Sequence, residues 1–424
     1  MPVPSLCGSP EPELDVTAPR ISDGYHNHGH VLSTKSKALQ RDTFFFAPSA
    51  MHPTDLVLGF NQKLTPLSMA KLKRWVHLMS GKENIEFYVC PVTMERRGIM
   101  SYGISPSGPI VESSIEPLPS GNYGWYGNRT LKMSGLVDLT GIDPAMRNWS
   151  FEYNATVMEE QRLLDDQWHW QKLVDLYTFP SDVEQAVLSR DIQRCRLTQT
   201  TTDVMSTWIV PPPWAWATVK ARDVEDLDSA PFIVPANAFV LHKDLKVHFY
   251  NHNFAVDADE DYRIVVFRDM GDDQALLPTH LPRGSEHDDA DAQFFRLHLR
   301  YSLNFMVLGG DVSETYPPSR ILHLMYELGA GAQDAEMVSL SDSRWQSELG
   351  QAILADELEA RASSLSNSDD SSLDDSESSP VDDSLEFDNS FPVIYWADND
   401  ARAADTVSTR ALEQDEEGDF VIVT

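Results

Sequence analysis

The architecture of this chain turns on residues Asn237–Tyr250, which read NAFVLHKDLKVHFY. Two apolar segments follow, FAVD at 254–257 and YRIVVF at 262–267. His242 and Lys246 are four residues apart, so on a helix they share one face. This stretch therefore predicts a helix whose polar side chains point toward a common spot.

Two further blocks flank this stretch in a fixed order. The upstream block is SRDIQRCRLT at 189–198, followed by TWIVP at 207–211. The downstream block is FFRLHLR at 294–300, continuing through Asn304 to Tyr316-Pro317-Pro318. Each block is a weak signal alone, and their order and spacing carry the interpretation.

Together the three blocks resemble the HNH-endonuclease-like domain found in many fungal proteins. That family has an "RD..RC.vTg" segment with a strand ending in "AHIvP", then "NgilL…LH.lFD…F.i", then a "hwHfrq…N" helix. The resemblance covers about a third of the chain. It implies an α+β fold with a ββα-metal centre, flanked by helices and preceded by a separate N-terminal module.

Such a centre holds one divalent cation (Mg²⁺, Mn²⁺ or Zn²⁺) between a hairpin and a helix. A histidine at the strand end takes a proton from water, an asparagine in the following loop orients it, and a helix histidine helps to hold the metal. The metal stabilises the leaving oxygen of the scissile phosphate. The resemblance thus implies cleavage of nucleic-acid phosphodiesters.

The residues at the family's motif positions do not suit this chemistry. The strand histidine corresponds to Trp208, whose indole accepts no proton, and the helix histidine corresponds to Lys246, whose ammonium repels a cation. The aspartate of "FD" corresponds to Tyr250, and only Asn237 is retained. Loss of a general base alone costs a factor of roughly a hundred to ten thousand in rate. We therefore expect a degenerate site with no metal.

Two alternatives stay open around this site. His242 is the one candidate metal ligand or base that could replace the lost histidines, and His298 is expected to order its helix against the hairpin. Trp208, Trp214 and Trp216 flank Pro211-Pro212-Pro213. They are either an aromatic platform for bases or a peptide, or a filling of the space that a hydrated metal would occupy, which we favour.

The chain divides by composition into five segments. Residues 1–55 are expected to be a disordered arm, 56–155 an α+β module, 156–335 the HNH-like domain, 336–362 a C-terminal helix, and 363–424 a disordered Ser/Asp-rich tail. Helices are predicted at 66–79, 157–177, 181–190, 292–308, 319–328 and 342–360, and strands at 84–92 and 98–104. Thr65 and Ser181 are the predicted caps of the first and third of these helices.

Net charge, cysteine spacing and hydropathy limit the cellular compartment and the binding partners that we expect for this chain. The net charge is −33, and residues 356–424 carry 20 of the 66 acids but 3 of the 33 bases. Nucleic-acid binding would need a local basic patch, such as Lys71, Lys73 and Arg74 or Arg96 and Arg97. Cys7, Cys90 and Cys195 have no CxxC spacing, which excludes a thiolate zinc site. No signal or membrane-spanning pattern is present, so we expect an intracellular protein of cytoplasm or nucleus.

Three functions agree with these observations. The first, which we favour, is a degenerate HNH-fold protein acting as a binding or scaffolding module. The second is an active metal-dependent HNH endonuclease with displaced ligands, using His242. The third is an adaptor that binds a protein partner through its acidic tail.

Overall fold

The computed structural model describes residues 29–48, 54–81, 85–130, 177–214, 229–282, 292–330, 337–368, 412–414 and 420–422. Over these residues the chain is a mixed α+β protein. It divides into two compact units, residues 1–365 and 366–424. None of the described helices is both long and apolar enough to cross a membrane.

The first part of the chain forms a five-stranded sheet. Its strands are β1 (Thr43–Ala47), β2 (Asp55–Phe60), β3 (Tyr88–Gly98), β4 (Ser101–Pro106) and β5 (Gly121–Tyr126). Their order is β2-β1-β5-β3-β4, with β1 and β5 parallel and the other neighbours antiparallel. The two predicted strands correspond to β3 and β4 with shifted ends, and β5 lies in a segment predicted to consist of turns.

The prediction of a disordered arm over residues 1–55 is wrong for residues 29–48. These residues form helix α1 (Thr34–Ala38), capped by Ser33, and strand β1. The sequence TFFFA of β1 is buried on both faces of the sheet. A strand covered on both faces has a continuous apolar run and no polar–apolar alternation, so its period could not be recognised.

Helix α2 (Met69–Ser80) begins three residues later than predicted. Its N-cap is Ser68, whose hydroxyl accepts a hydrogen bond from the Lys71 N–H, and not Thr65. Thr65 instead donates its hydroxyl to the Val266 carbonyl. The predicted end is confirmed, because Gly81 takes the left-handed conformation (φ 65°) that favours glycine after a helix.

The central part of the chain begins with helix α3 (Ser181–Arg190) and the antiparallel pair β6 (Val204–Trp208) and β7 (Ala238–His242). Helix α4 (Lys243–Tyr250), the antiparallel pair β8 (Phe254–Asp257) and β9 (Arg263–Val266), and helix α5 (Ala292–Met306) follow. Short 3₁₀ turns occur at Pro212–Trp214, Ala230–Phe232, Pro235–Asn237 and Gly271–Leu276. Helix α3 has the predicted bounds, but its N-cap is Pro180 without a side-chain bond.

One hydrophobic core joins the first sheet to the central elements. It contains Phe60 of β2, Trp75 of α2, Trp125 of β5, Ala255 of β8 and Leu303 of α5. A second core lies between α4, β7, β8 and α5. Helix α5 therefore contacts both cores, and its bounds agree with the predicted helix.

A buried arginine fixes the end of α5. The Arg41 guanidinium donates to the carbonyls of Gly309 and Met306 at 2.6 Å each. These carbonyls lie at the C-terminal end of α5, where a cation complements the helix dipole. Burial lowers the pKa of Arg41 to about 10, and the nearby Glu314 carboxylate opposes that shift.

The last part of the first unit is helical. It contains α6 (Val312–Thr315), α7 (Pro318–Leu328), a 3₁₀ turn (Ser343–Gln346) and α8 (Glu348–Ser368). Trp345 of the 3₁₀ turn and Ile353 of α8 are buried in a third hydrophobic core, to which α7 also contributes. The predicted tail boundary at 363 is wrong, because α8 continues to Ser368.

In the second unit, β10 (Leu412–Gln414) pairs antiparallel with β11 (Phe420–Ile422). Both strands lie within residues 363–424, which were expected to be a disordered tail. The rest of the predicted disordered tail lies outside the described residues. So do Trp149, Trp216 and nearly all of the predicted helix at 157–177.

Candidate functional site

The RD..RC segment, residues 190–195, stabilises the β6–β7 pair through hydrogen bonds. Asp191 is buried and accepts two hydrogen bonds from Arg190 (2.8 and 3.0 Å) and one from the Val240 N–H of β7 (2.8 Å). Arg190 also donates to the Pro235 and Ala238 carbonyls. The pair therefore fixes the start of β7 and the loop before it.

Cys195 stabilises the turn formed by residues 195–200. Its buried sulfur accepts the N–H of Thr198 at 3.3 Å, and its backbone exchanges further bonds with residues 199–200. The segment that suggested a family resemblance thus has a structural role in positioning the neighbouring site.

Trp208 is the last residue of β6 and is fully buried. It stands opposite Ala238 in the register of the strand pair. The indole stacks on Phe179 with ring centroids 3.9 Å apart, and its Nε1 donates to the Tyr177 carbonyl at 3.2 Å. Trp208 ends a strand as predicted, but that strand is the first of its pair and not the second.

Asn237 lies immediately before β7 and is also fully buried. Its Oδ1 accepts the Val210 N–H at 3.0 Å, while its Nδ2 donates to the carbonyls of Val210 (2.7 Å) and Phe232 (2.8 Å). Val210 is two residues beyond Trp208, so the amide holds the chain on both sides of the strand end. All three hydrogen bonds of the Asn237 side chain are thus made with backbone groups.

Helix α4 brings Tyr250, at its last residue, to the end of β6. The Tyr250 hydroxyl accepts the Trp208 N–H at 3.1 Å, and burial raises the pKa of this phenol. Lys246 lies one turn earlier, with its Nζ 5.5 Å from the centre of the Tyr250 ring. Partial burial lowers the pKa of Lys246. Trp208, Asn237, Lys246 and Tyr250 are therefore gathered at one end of the strand pair.

His242 lies at the other end of that pair. It is the last residue of β7 and the N-cap of α4, and it stands opposite Val204. Four residue steps along β7 separate it from Ala238, a distance of roughly 13 Å. The prediction that His242 shares a helix face with Lys246 is wrong, because the helix begins only at Lys243. Its Nδ1 is 3.6 Å from the Asp244 carboxylate.

Two further aromatic side chains adjoin this centre: Trp214, which was expected to fill the space of a hydrated metal, and Tyr177, which was not identified from the sequence. The hydroxyl of Tyr177 accepts the Trp214 indole N–H at 3.2 Å, and Trp214 lies 6.2 Å from Tyr250 between ring centroids. Burial raises the pKa of Tyr177 to about 12. The cluster of Trp and Pro at 208–216 was the available signal, but it did not indicate which ring turns inward.

A buried histidine pair lies beyond Trp214. His298 stacks on Phe249 of α4 at 3.8 Å and donates from Nε2 to the Phe249 carbonyl at 3.2 Å. His252 donates from Nδ1 to Ser302 Oγ at 3.0 Å. Burial lowers the pKa of His298 well below its usual value, and the nearby His252 lowers it further. The contacts of His298 pack α5 against helix α4, whereas it was expected to order α5 against the hairpin.

The predicted basic patches are occupied by internal ion pairs. Arg74 forms a two-point pair with the buried Asp257 (2.6 and 2.7 Å), which also accepts the Trp75 indole N–H at 3.0 Å. Lys71 pairs with Glu260 at 3.1 Å. Arg96, in the other patch, pairs with Asp356 at 3.3 Å. Lys71, Arg74 and Arg96 therefore join elements of the fold and do not form the basic patch that nucleic-acid binding would need.

The side chains at the motif positions do not fit a divalent cation. An indole and an ammonium offer no lone pair, the phenol is protonated, and the asparagine amide is engaged by backbone groups. In the described ranges, no three His, Cys, Asp or Glu side chains are grouped so that they could bind a metal.

Comparisons of this chain with models of known families, with curated proteins and with solved structures gave no match.

Proposed function

We propose that this chain is a catalytically degenerate HNH-like protein whose central β6–β7–α4 unit works as a binding or scaffolding module. Two antiparallel strands followed by a helix have the order expected for a ββα-metal centre. The proximity of Trp208, Asn237, Lys246 and Tyr250 at one end of that unit supports the assignment.

The burial of Trp208 is the observation that carries the proposal. The position where the family has its proton acceptor is filled by a side chain with no exposed surface. Its ring faces are used in packing, its N–H is bonded to Tyr177, and its backbone is bonded to Tyr250. Water and a phosphodiester would have to displace a packed core residue to reach this point.

The neighbouring groups offer no substitute base. The raised pKa of Tyr250 keeps its phenol protonated near neutral pH. The attraction between the Lys246 charge and the Tyr250 ring opposes the lowering of the Lys246 pKa by partial burial. His242 lies at the opposite end of β7, which argues against its taking over the reaction.

A nicking assay tests the absence of catalysis. Supercoiled plasmid is incubated with the purified full chain and Mg²⁺, Mn²⁺, Zn²⁺ or Ni²⁺. We expect no metal-dependent nicking above that of a buffer control. The His242→Ala variant and a control, His323→Ala, whose side chain is 74% exposed on α7, are assayed in parallel. Nicking that is lost in His242→Ala and kept in His323→Ala would overturn the proposal.

The binding role is tested by removing the tail. Deletion of residues 369–424 leaves α8 intact, whereas a cut at 363 would shorten that helix. Proteins crosslinked to the full chain in cells are compared with those crosslinked to the deletion variant. We expect the same partners in both. Loss of every partner on deletion would assign the function to the acidic tail instead.

A further inference from the structure

A cleft of about 590 Å³ opens between the C-terminal end of α2 and the first turns of α5. Apolar side chains from three elements line it: Leu78 of α2, Phe232, and Phe294 and Leu297 of α5. Arg296 and Arg300 lie on the same side of α5 and also reach the cleft. Its volume is in the range of sites that bind small organic molecules.

The two arginines differ in their partners. Arg296 pairs with the Asp259 carboxylate at 2.7 Å. Arg300 has no acid within 4 Å and no hydrogen-bond acceptor among the residues that the structure describes, and its Nε is buried. Its Nη2 lies 3.8 Å from the point where a Cβ on Gly81 would be, which places the guanidinium at the α2 side of the cleft. Among the residues that the structure describes, the cleft therefore contains a cation without a counter-charge.

A partly buried guanidinium without an acid or carbonyl partner is unusual among the described residues of this protein. The net charge is −33, and other arginines of the same unit are paired with acids: Arg74 with Asp257, Arg190 and Arg196 with Asp191, and Arg263 with Glu260. Leaving a partly buried charge without a partner costs free energy. A ligand that supplies the missing charge would offset this cost.

We infer that this cleft binds a small monocarboxylate with an apolar body. The planar guanidinium fork of Arg300 matches a carboxylate through two parallel N–H···O bonds. The apolar body would lie against Leu78, Phe232, Phe294 and Leu297. A dianion is disfavoured, because one unpaired cation would face two charges within an acidic protein. This inference does not depend on the proposed function.

Calorimetric titration of the full chain with 1-naphthoate and with the neutral, equally shaped 1-naphthamide tests it. We expect naphthoate to bind at least about tenfold more tightly than naphthamide, since hydrogen bonds to a charged group contribute about 1.5–3 kcal/mol. Arg300→Gln should remove that preference and leave naphthamide binding unchanged. Arg320→Gln, an exposed arginine on α7, should bind both ligands as the wild-type chain does.

Two further variants keep the result decisive. Arg300→Lys keeps the charge without the fork and should retain only part of the preference for naphthoate. Phe232→Ala should weaken both ligands by the same factor. Equal affinity for the two ligands, a preference that survives Arg300→Gln, or no binding of either ligand would overturn the inference.

Discussion

Truncation of Trp208 to alanine should destabilise the protein by about 3–5 kcal/mol, the usual cost of removing a large buried aromatic side chain. The side chain is fully buried, and its ring stacks on Phe179 at 3.9 Å. Its loss also leaves the Tyr177 carbonyl without the indole N–H. Trp208→Phe keeps a ring in the stack and should cost only about 1–2 kcal/mol, mainly from that hydrogen bond and the smaller volume.

Urea unfolding followed by circular dichroism measures both values, with the m-value reporting whether the unfolded state has changed. Tyr326→Ala is the control, because this aromatic side chain on α7 is 86% exposed and its loss should change stability by less than about 0.5 kcal/mol. A loss below about 1 kcal/mol for Trp208→Ala would refute the argument that this residue fills the centre.

Two more predictions concern buried charge. Asp257→Ala should cost about 3–5 kcal/mol in urea unfolding, because it removes the buried partner of Arg74, whereas Asp203→Ala, which breaks an equally short but fully exposed pair with Lys243, should cost much less. His298 has a lowered pKa in the folded state, so its ring stays neutral there while the unfolded chain takes up a proton below pH about 6.5. Stability should therefore fall by about 1.4 kcal/mol for each pH unit below 6.5, and His298→Gln should flatten that slope.

Each of these two predictions has a clear contrary result. Equal losses for Asp257→Ala and Asp203→Ala would mean that burial does not determine the value of these pairs. Identical slopes of stability against pH for the wild-type chain and His298→Gln would mean that another group controls the acid response.

The helices of this chain were largely predictable, and its site geometry was not. Helix α3 has its predicted bounds and α5 begins at the predicted residue, because a period of 3.6 residues is a local property of the sequence. Strand β1 was missed because burial on both faces removes the alternation that identifies a strand. The position of His242 was wrong because this one residue is both the last of strand β7 and the N-cap of helix α4, a boundary that periodicity cannot resolve.

Charge partners depended entirely on tertiary structure. Lys71 and Arg74 formed a basic patch in the sequence, but their acids, Asp257 and Glu260, are more than 180 residues away. The sequence does not distinguish Arg296 from Arg300. In the folded chain Arg296 pairs with Asp259, whereas Arg300 has no acid partner among the described residues. No local pattern encodes such pairs, because they form between elements that meet only after folding.

The sequence by itself determined the α+β class, the positions of most helices and the chemical character of Trp208 and Lys246, since these follow from residue type and short-range spacing. Only the tertiary structure decided that Tyr250 and not Lys246 bonds to the Trp208 backbone, that Asn237 is held by Val210, and that His242 lies at the far end of its strand. The physical reason is that side-chain contacts depend on how α4 returns along β6 and β7, and that path is set by packing across the whole core.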